Sequence, residues 1–128
     1  MRVVDSSAWI EWFRRTAHGS LLAPHWPSRD KTIVPTLVQY ELARWAKREV
    51  SGDLASKLIA YTETCRVEPL DTRIALKAAE LSRLHRLAMA DAVIYATALE
   101  RNADCLTCDS HFEGLAQVVL IAKVGRDN

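Results

Sequence analysis

The sequence predicts an α/β fold, a three-layer α/β/α sandwich around a central, mainly parallel sheet. Short β-branched runs alternate along the chain with longer segments whose apolar residues recur at helical spacing. Turn residues and helix caps separate the two kinds of segment, and no repeat or low-complexity linker divides the 128 residues. We therefore expect one domain over residues 1–128, with right-handed crossovers and helices on both faces of the sheet.

The N-terminal segment predicts a strand followed directly by a helix. Met1 to Asp5 is short and rich in β-branched residues, which is typical of a buried strand. Ser6 and Ser7 are placed to cap the helix that follows. The apolar residues of that helix are Trp9, Ile10, Trp12 and Phe13. After a polar loop broken by prolines, Thr32 to Val34 predicts a second strand, which Pro35 stops.

Two helices occupy the next part of the chain. Thr36 is placed to cap the first of them, which runs to about Val50 and ends at Gly52. Ser51 or Asp53 begins the second helix. The apolar positions of this second helix are Leu54, Leu58 and Tyr61. Both helices have an apolar stripe on one side only, which is typical of helices that pack on a sheet.

A third strand and a helix precede a long apolar helix, and three further elements follow it. Val67 to Leu70 predicts a strand, and Pro69 within it suits a sheet edge. Asp71 or Thr72 caps a helix with one apolar face. That face consists of Ile74, Ala78 and Leu81. The last predicted elements are a strand at Cys105 to Thr107, a short helix at His111 to Leu115 and a strand at Val118 to Ile121.

The stretch from Leu87 to Leu99 predicts a buried helix, because its residues are apolar on all sides. It contains one carboxylate, Asp91. An ionised carboxylate in such surroundings costs several kcal/mol unless a cation or hydrogen bonds meet it. Asn102 is suited to end this helix in the left-handed conformation. The sequence thus predicts a cation or a helix terminus next to Asp91.

Composition limits the classes of function. The formal net charge is +1, so any binding to RNA must come from a local arrangement of basic side chains. No apolar run reaches the roughly 18 residues of a membrane span, and no signal sequence opens the chain, so we expect a cytoplasmic protein with no membrane contact. Three cysteines argue against a disulfide framework.

Four acidic residues are predicted to meet at one edge of the sheet. Asp5 ends the first strand, and Asp109 follows the fourth by two residues. Glu41 and Asp91 lie near the starts of their helices, and helix N-termini gather at the carboxyl edge of a parallel sheet. Carboxylates about 4 Å apart repel by roughly 4 kcal/mol at an effective dielectric constant of 20. A cluster of oxygen donors without His or Cys suits Mg²⁺ or Mn²⁺ better than zinc.

Four stretches of the sequence carry a resemblance to a known family. They are Val4 to Ile10, Val34 to Leu42, Ala90 to Leu99 and Thr107 to Phe112. In this order and at this spacing they resemble the PIN-domain ribonucleases, and more narrowly the VapC toxins of bacterial toxin–antitoxin systems. One departure is Arg86-Leu87-Ala88, where the family commonly has Gly-Leu-Ser. The Ala88 side chain cannot cap the helix that follows, so the start of that helix departs from the family pattern.

The resemblance implies a Mg²⁺- or Mn²⁺-dependent endoribonuclease that hydrolyses RNA phosphodiester bonds with metal-activated water. The residues that match the family's metal-binding acids, and that we expect to be catalytic, are Asp5, Glu41, Asp91 and Asp109. Ser7 and Thr107 match its hydroxyl positions beside the site. The family also implies two protein partners, a small antitoxin and a second copy of the chain in a homodimer. Trp9, Trp12 and Trp45 are candidates for the antitoxin contact, or else for the core.

Other interpretations remain open for the same residues. Asp5 and Asp109 taken singly are typical helix caps, and Glu41 is typical of a solvated helix face. Cys105, Cys108 and His111 are a possible start of a zinc site, although no second ligand pair follows. Rival functions are a signalling receiver domain, a module that keeps the fold without the chemistry, and a housekeeping PIN nuclease without an antitoxin. In the receiver hypothesis the functional residues are Asp71, Thr107 and Lys123.

Overall fold

A parallel five-stranded sheet forms the middle layer of the molecule, whose computed structural model describes residues 1–122. The strands are β1 (Arg2–Val4), β2 (Thr32–Pro35), β3 (Arg66–Glu68), β4 (Asp104–Thr107) and β5 (Val118–Leu120). Their order across the sheet is β3-β2-β1-β4-β5, and every neighbouring pair is parallel. β3 is an edge strand, as the proline at position 69 predicts.

Six α-helices cover the sheet. They are α1 (Ser6–Arg14), α2 (Ala17–Ser20), α3 (Thr36–Glu49), α4 (Gly52–Thr62), α5 (Thr72–His85) and α6 (Met89–Glu100). Successive strands from β1 to β3 proceed in one direction across the sheet, and the connection from β3 to β4 returns past β1. Right-handed crossovers therefore place α1 to α4 on one face and α5 and α6 on the other. These are the three layers that the sequence predicts.

The direction of the chain reverses between β1 and β4, and this reversal creates a crevice at their carboxyl ends. Val4 on β1 is in register with Leu106 on β4, and the Asp5 amide donates to the Leu106 carbonyl at 2.9 Å. The residues that follow the two strands are consequently side by side. The topology alone brings Asp5 next to Thr107 and the turn beyond it.

The core fills both sides of the sheet. Trp9 on α1 is fully buried and packs against Trp12 and Trp26, whereas Trp12 and Trp45 are partly buried. On α6 every residue from Ala92 to Ala98 is buried, which confirms the predicted all-apolar helix. Complete burial of one large aliphatic or aromatic side chain contributes about 1.5–3 kcal/mol, so this packing holds α6 firmly against the sheet.

Several boundaries differ from the sequence predictions. Asp5, not Ser6 or Ser7, caps α1, because its carboxylate reaches the Ser6 amide. Pro35 occupies the cap position of α3 with no side-chain bond, so the predicted Thr36 cap is wrong. Gly52 is the first residue of α4 and not the end of α3, which stops at Glu49.

Other predicted elements are shorter or shifted. The third strand ends at Glu68, before Pro69, and the short helix near His111 is a single 3₁₀ turn, Ser110–Phe112. The polar loop contains the short helix α2 and two 3₁₀ turns, Ala23–His25 and Arg29–Lys31. Asp71 caps α5, and Asn102 has a positive φ of 52°, as predicted. Within residues 1–122, no helix combines the length and apolar character that crossing a membrane requires.

Candidate metal centre

The four predicted acids are delivered to the carboxyl edge of the sheet by four separate segments. Asp5 follows β1, Asp109 follows β4, Asp91 lies in the first turn of α6, and Glu41 lies in the second turn of α3. Their charges act on one another: Asp109 raises the pKa of Asp5 and of Asp91, and Asp5 raises the pKa of Glu41. The chain thus concentrates negative charge in one crevice.

Asp5 is the most buried of the four acids, with 3% of its surface exposed. Its Oδ2 accepts hydrogen bonds from the Ser7 hydroxyl at 2.7 Å and the Thr107 hydroxyl at 2.8 Å, and its Oδ1 accepts from the Ser6 amide at 2.8 Å. Burial raises the pKa of Asp5, and the two hydroxyls partly offset that rise. Because Oδ2 already has two donors, Oδ1 is the oxygen with acceptor capacity left for a further partner.

Ser7 and Thr107 join the end of β1 to the turn after β4. Each hydroxyl gives its only proton to Asp5 and accepts from a backbone amide. The Cys108 amide donates to Ser7 Oγ at 3.0 Å, and the Asp109 amide donates to Thr107 Oγ1 at 3.0 Å. The two hydroxyl positions inferred from the resemblance therefore orient Asp5 and fix the backbone that leads to Asp109.

Glu41 is half-buried and points toward the same crevice. Its Oε1 accepts a hydrogen bond from the Ser6 hydroxyl at 2.8 Å. Burial raises the pKa of Glu41, and the charges of Asp5 and Asp91 raise it further. The Ser6 contact was not predicted; the adjacent serines suggested only a helix cap. It links α1 to α3 at the site.

His111 lies beside two of the acids, a position that the sequence does not predict. Its Nδ1 lies 3.4 Å from Asp91 Oδ2 and 3.3 Å from Asp109 Oδ1. Its backbone amide also donates to Asp109 Oδ1 at 2.9 Å. One ligand atom from each of Asp91, Asp109 and His111 lies within 4.8 Å of the others, a group that excludes Asp5 and Glu41. The sequence signal for His111 is its place just after Cys105 and Cys108, which indicates a possible zinc site and not a position among the acids.

The charge balance of the crevice favours a bound cation. Within the described chain, no Lys or Arg nitrogen forms an ion pair within 4.0 Å with any of the four acids, and His111 is the one basic partner. Carboxylates that repel one another without such compensation take up protons or bind metal. The carboxylates of Asp91 and Asp109 and the imidazole of His111, grouped within 4.8 Å, form a suitable donor set for a divalent ion. The residues present therefore fit a metal site.

The zinc alternative does not match the geometry. Cys105 is completely buried in β4, and Cys108 is almost completely buried. His111 instead groups with Asp91 and Asp109, and within residues 1–122 no group of metal-ligating side chains contains a cysteine. Burial also raises the pKa of the Cys105 thiol well above its usual value, which disfavours the thiolate that zinc requires.

The receiver hypothesis does not match the topology. Receiver domains have the flavodoxin-like strand order 2-1-3-4-5, whereas this sheet has the order 3-2-1-4-5. Asp71 is exposed and caps α5 by accepting from the Ile74 amide at 2.9 Å. Thr107 is bonded to Asp5, and Lys123 lies outside the described residues. Asp71 and Thr107 thus have structural partners that differ from those the receiver hypothesis needs.

Comparisons with known proteins agree with this architecture. The family model described as PIN domain matches residues 2–118. A chain of a toxin–antitoxin complex from Klebsiella pneumoniae has a TM-score of 0.82 at 19% identity, covering 97% of this chain and 100% of that one. VapC20 from Mycobacterium tuberculosis, described as a sarcin–ricin loop cleaving toxin, has a TM-score of 0.75 at 18% identity, covering 92% and 97%.

A third similar structure is VapBC-1 from nontypeable Haemophilus influenzae, with a TM-score of 0.73 at 17% identity, covering 95% of this chain and 98% of that one. No curated protein matches the chain. At these identities the structural likeness establishes the fold.

Proposed function

Since the chain belongs to the PIN domain family, we propose that it is a Mg²⁺- or Mn²⁺-dependent endoribonuclease and the toxin of a toxin–antitoxin pair. The observation that carries this proposal is the convergence of Asp5, Glu41, Asp91 and Asp109 at the crevice between β1 and β4. Their mutual repulsion, with no Lys or Arg pairing with them among residues 1–122, supports a site for divalent cations.

The four acids have the role of holding and orienting the ion or ions. Ser7 and Thr107 position Asp5, and Ser6 positions Glu41, through the hydrogen bonds described above. When bound, a divalent ion supplies an activated water and neutralises charge on the phosphodiester in the transition state. No side chain of the site is required as a covalent nucleophile. The buried position of Asp5 keeps its carboxylate fixed while substrate exchanges at the open side of the crevice.

The mechanism predicts the chemistry of the RNA ends. Because water, and not the 2′-hydroxyl of the RNA, is the nucleophile, the products carry 5′-phosphate and 3′-hydroxyl ends. The test is to incubate purified protein with labelled RNA and Mn²⁺ or Mg²⁺ and to analyse both termini. Products with 2′,3′-cyclic phosphate would reject the mechanism, and cleavage in excess EDTA would reject the metal requirement.

The partners follow from the same family assignment. Two of the similar structures are toxin–antitoxin assemblies, which supports a small antitoxin as a partner of this chain. We also propose a homodimer and a cytoplasmic location.

Seven basic side chains close to the acids in sequence are exposed, and they supply candidate contacts to RNA phosphates. They are Arg14, Arg15, Arg44, Lys47, Arg48, Arg83 and Arg86.

A further inference from the structure

His111 holds an unusual position for a residue of an acidic metal site. Its imidazole Nδ1 is nearly equidistant from Asp91 Oδ2 and Asp109 Oδ1, at 3.4 and 3.3 Å. We infer that His111 is a further ligand of the ion, and that this nitrogen donor makes the site select Mn²⁺ over Mg²⁺. The inference rests on the metal site of the proposed function. The observation behind the inference is the tight grouping of the three donor atoms within 4.8 Å.

The separations suit a shared ion. Donor atoms held about 2.1 Å from one ion, at angles of roughly 90–110°, lie about 3.0–3.4 Å apart. Both nitrogen–oxygen distances of His111 fall in or near that interval. The separations of His111 from each of the two carboxylates therefore match those of donor atoms on one ion.

The neighbouring residues hold His111 in place although its side chain is 71% exposed. Its amide is fixed by Asp109 Oδ1, and the next residue, Phe112, is fully buried with its ring 6.2 Å from that of Tyr95 on α6. Phe112 thus anchors the 3₁₀ turn against the helix that carries Asp91. An anchored turn positions an exposed ligand at low entropic cost when metal binds.

Ligand chemistry sets the direction of selectivity. Mg²⁺ prefers oxygen donors and keeps most of its water, whereas imidazole suits first-row transition metals. With the four acids alone, the site offers only oxygen and discriminates weakly between the two ions. With His111 included, Mn²⁺ gains a nitrogen ligand that Mg²⁺ uses poorly.

The test compares metal binding by the parent chain, the variant His111→Gln and the control His85→Gln. His85 is exposed at the end of α5 and pairs with no carboxylate in the structure's ion pairs, so the control removes one imidazole from elsewhere. Calorimetric titration with MnCl₂ and MgCl₂ should show at least tenfold tighter binding of Mn²⁺ by the parent and the control. His111→Gln should lose about tenfold in Mn²⁺ affinity while its Mg²⁺ affinity changes less than threefold.

Pulsed electron paramagnetic resonance of the Mn²⁺-loaded proteins gives a readout that does not depend on activity. A ¹⁴N coupling from imidazole should be present in the parent and in His85→Gln and absent in His111→Gln. No nitrogen coupling in the parent, no Mn²⁺ binding by the parent, or an equal loss of affinity for both ions in His111→Gln would each overturn the inference.

RNA cleavage separates this inference from the proposed function. If the nitrogen coupling depends on His111 but the parent cuts no RNA with either ion, the metal ligand stands and the nuclease proposal fails. If the parent cuts RNA with Mg²⁺ but its bound Mn²⁺ shows no nitrogen coupling, the nuclease proposal stands and the role of His111 is wrong.

Discussion

Burial and neighbouring charges both disfavour the ionised form of Asp91 in the metal-free protein. Burial raises its pKa, and the charges of Asp109 and Asp5 raise it further, so the ionised form is destabilised without metal. Asp91→Asn keeps the shape of the side chain and removes the charge. We expect the variant to lose RNA cleavage and metal binding, yet to be at least as stable as the parent to urea in EDTA.

A matched control for this substitution is Asp53→Asn. Asp53 lies in the first turn of α4 with a 78% exposed side chain and pairs only with the exposed Lys57, a contact worth little. The control should keep full activity and a free energy of unfolding within about 0.5 kcal/mol of the parent. A folded Asp91→Asn protein that cuts RNA at the parent's rate would remove Asp91 from the proposed site.

Removal of the Thr107 hydroxyl tests whether that group positions the Asp5 carboxylate. Thr107 is buried at the end of β4, and Thr107→Val leaves Asp5 Oδ2 with one donor and the Asp109 amide with no side-chain acceptor. We expect a loss of about 1–3 kcal/mol in unfolding free energy and weaker metal binding. Thr107→Ser keeps the hydroxyl and should restore most of the metal affinity. Urea unfolding and calorimetric metal titration measure both effects, and equal affinities in Val and Ser variants would contradict the positioning role.

The raised pKa of Asp91 also predicts the pH dependence of stability. The folded state binds more protons than the unfolded state between the unfolded pKa, about 3.9 for an Asp, and the higher folded pKa. The metal-free parent should therefore lose stability relative to Asp91→Asn as pH rises through that window, and the difference should then stay constant. The hydrogen bond from Arg2 lowers the pKa of Asp104, so Asp104 makes stability rise with pH. This contribution is the same in both proteins and cancels in their difference.

Urea titrations in EDTA from pH 4 to 8 on both proteins measure this difference. A saturating divalent ion should reverse its sign at neutral pH, because the ion binds the folded parent more tightly than the variant. A stability difference that does not change with pH would mean that Asp91 has the same pKa in the folded and unfolded protein.

At the scale of single elements, α5 depends on its N-cap. Asp71 accepts from the Ile74 amide at 2.9 Å and is otherwise exposed. Asp71→Ala should destabilise the protein by about 1 kcal/mol, whereas Asp71→Asn keeps an acceptor and should cost a few tenths at most. Both variants should cut RNA at the parent's rate when folded. Loss of activity in Asp71→Asn would favour a functional role for Asp71, as the receiver hypothesis requires.

The elements that the sequence predicts best are those with a strong local signal. The all-apolar stretch around Asp91 is the buried helix α6, and the left-handed Asn102 closes it. The boundaries of helices depend on which of several neighbouring side chains bonds to the free backbone amides. Gly52 is typical of a helix end, yet Ser51 bonds to the Leu54 amide and makes Gly52 the first residue of α4. Ser6 and Ser7 are typical caps, yet their hydroxyls bond to Glu41 and Asp5.

The site was predictable where topology determines it and not where tertiary packing does. Asp5 and Asp109 follow neighbouring parallel strands, so their proximity follows from strand order. The position of His111 depends on a 3₁₀ turn anchored by Phe112 against α6, and no local pattern reveals that contact. The cluster expected from the sequence contains only oxygen donors, whereas in the structure an imidazole also lies beside two of the acids.

At the scale of the whole molecule, the charge distribution is uneven. The formal net charge is +1, yet four carboxylates lie in one crevice without a Lys or Arg pairing with them in the described residues. A partner that inserts an Arg or Lys would gain a charge-assisted hydrogen bond there and displace metal. Trp9 is fully buried, so of the three candidate tryptophans only Trp12 and Trp45 retain surface for an apolar segment of such a partner.

The last prediction concerns that partner. Expression of this chain alone should arrest growth, and co-expression with the small protein encoded beside it should restore growth and yield a copurifying complex. In the complex, Mn²⁺ affinity should fall at least tenfold, because the partner's basic group and the ion compete for the same carboxylates. Asp91→Asn is the matched control, since it should be harmless alone and still fold. Harmless expression of the parent chain would favour a housekeeping nuclease, whereas a complex that binds Mn²⁺ as well as the free chain would contradict displacement of the ion, because a basic group among the acids must compete with it.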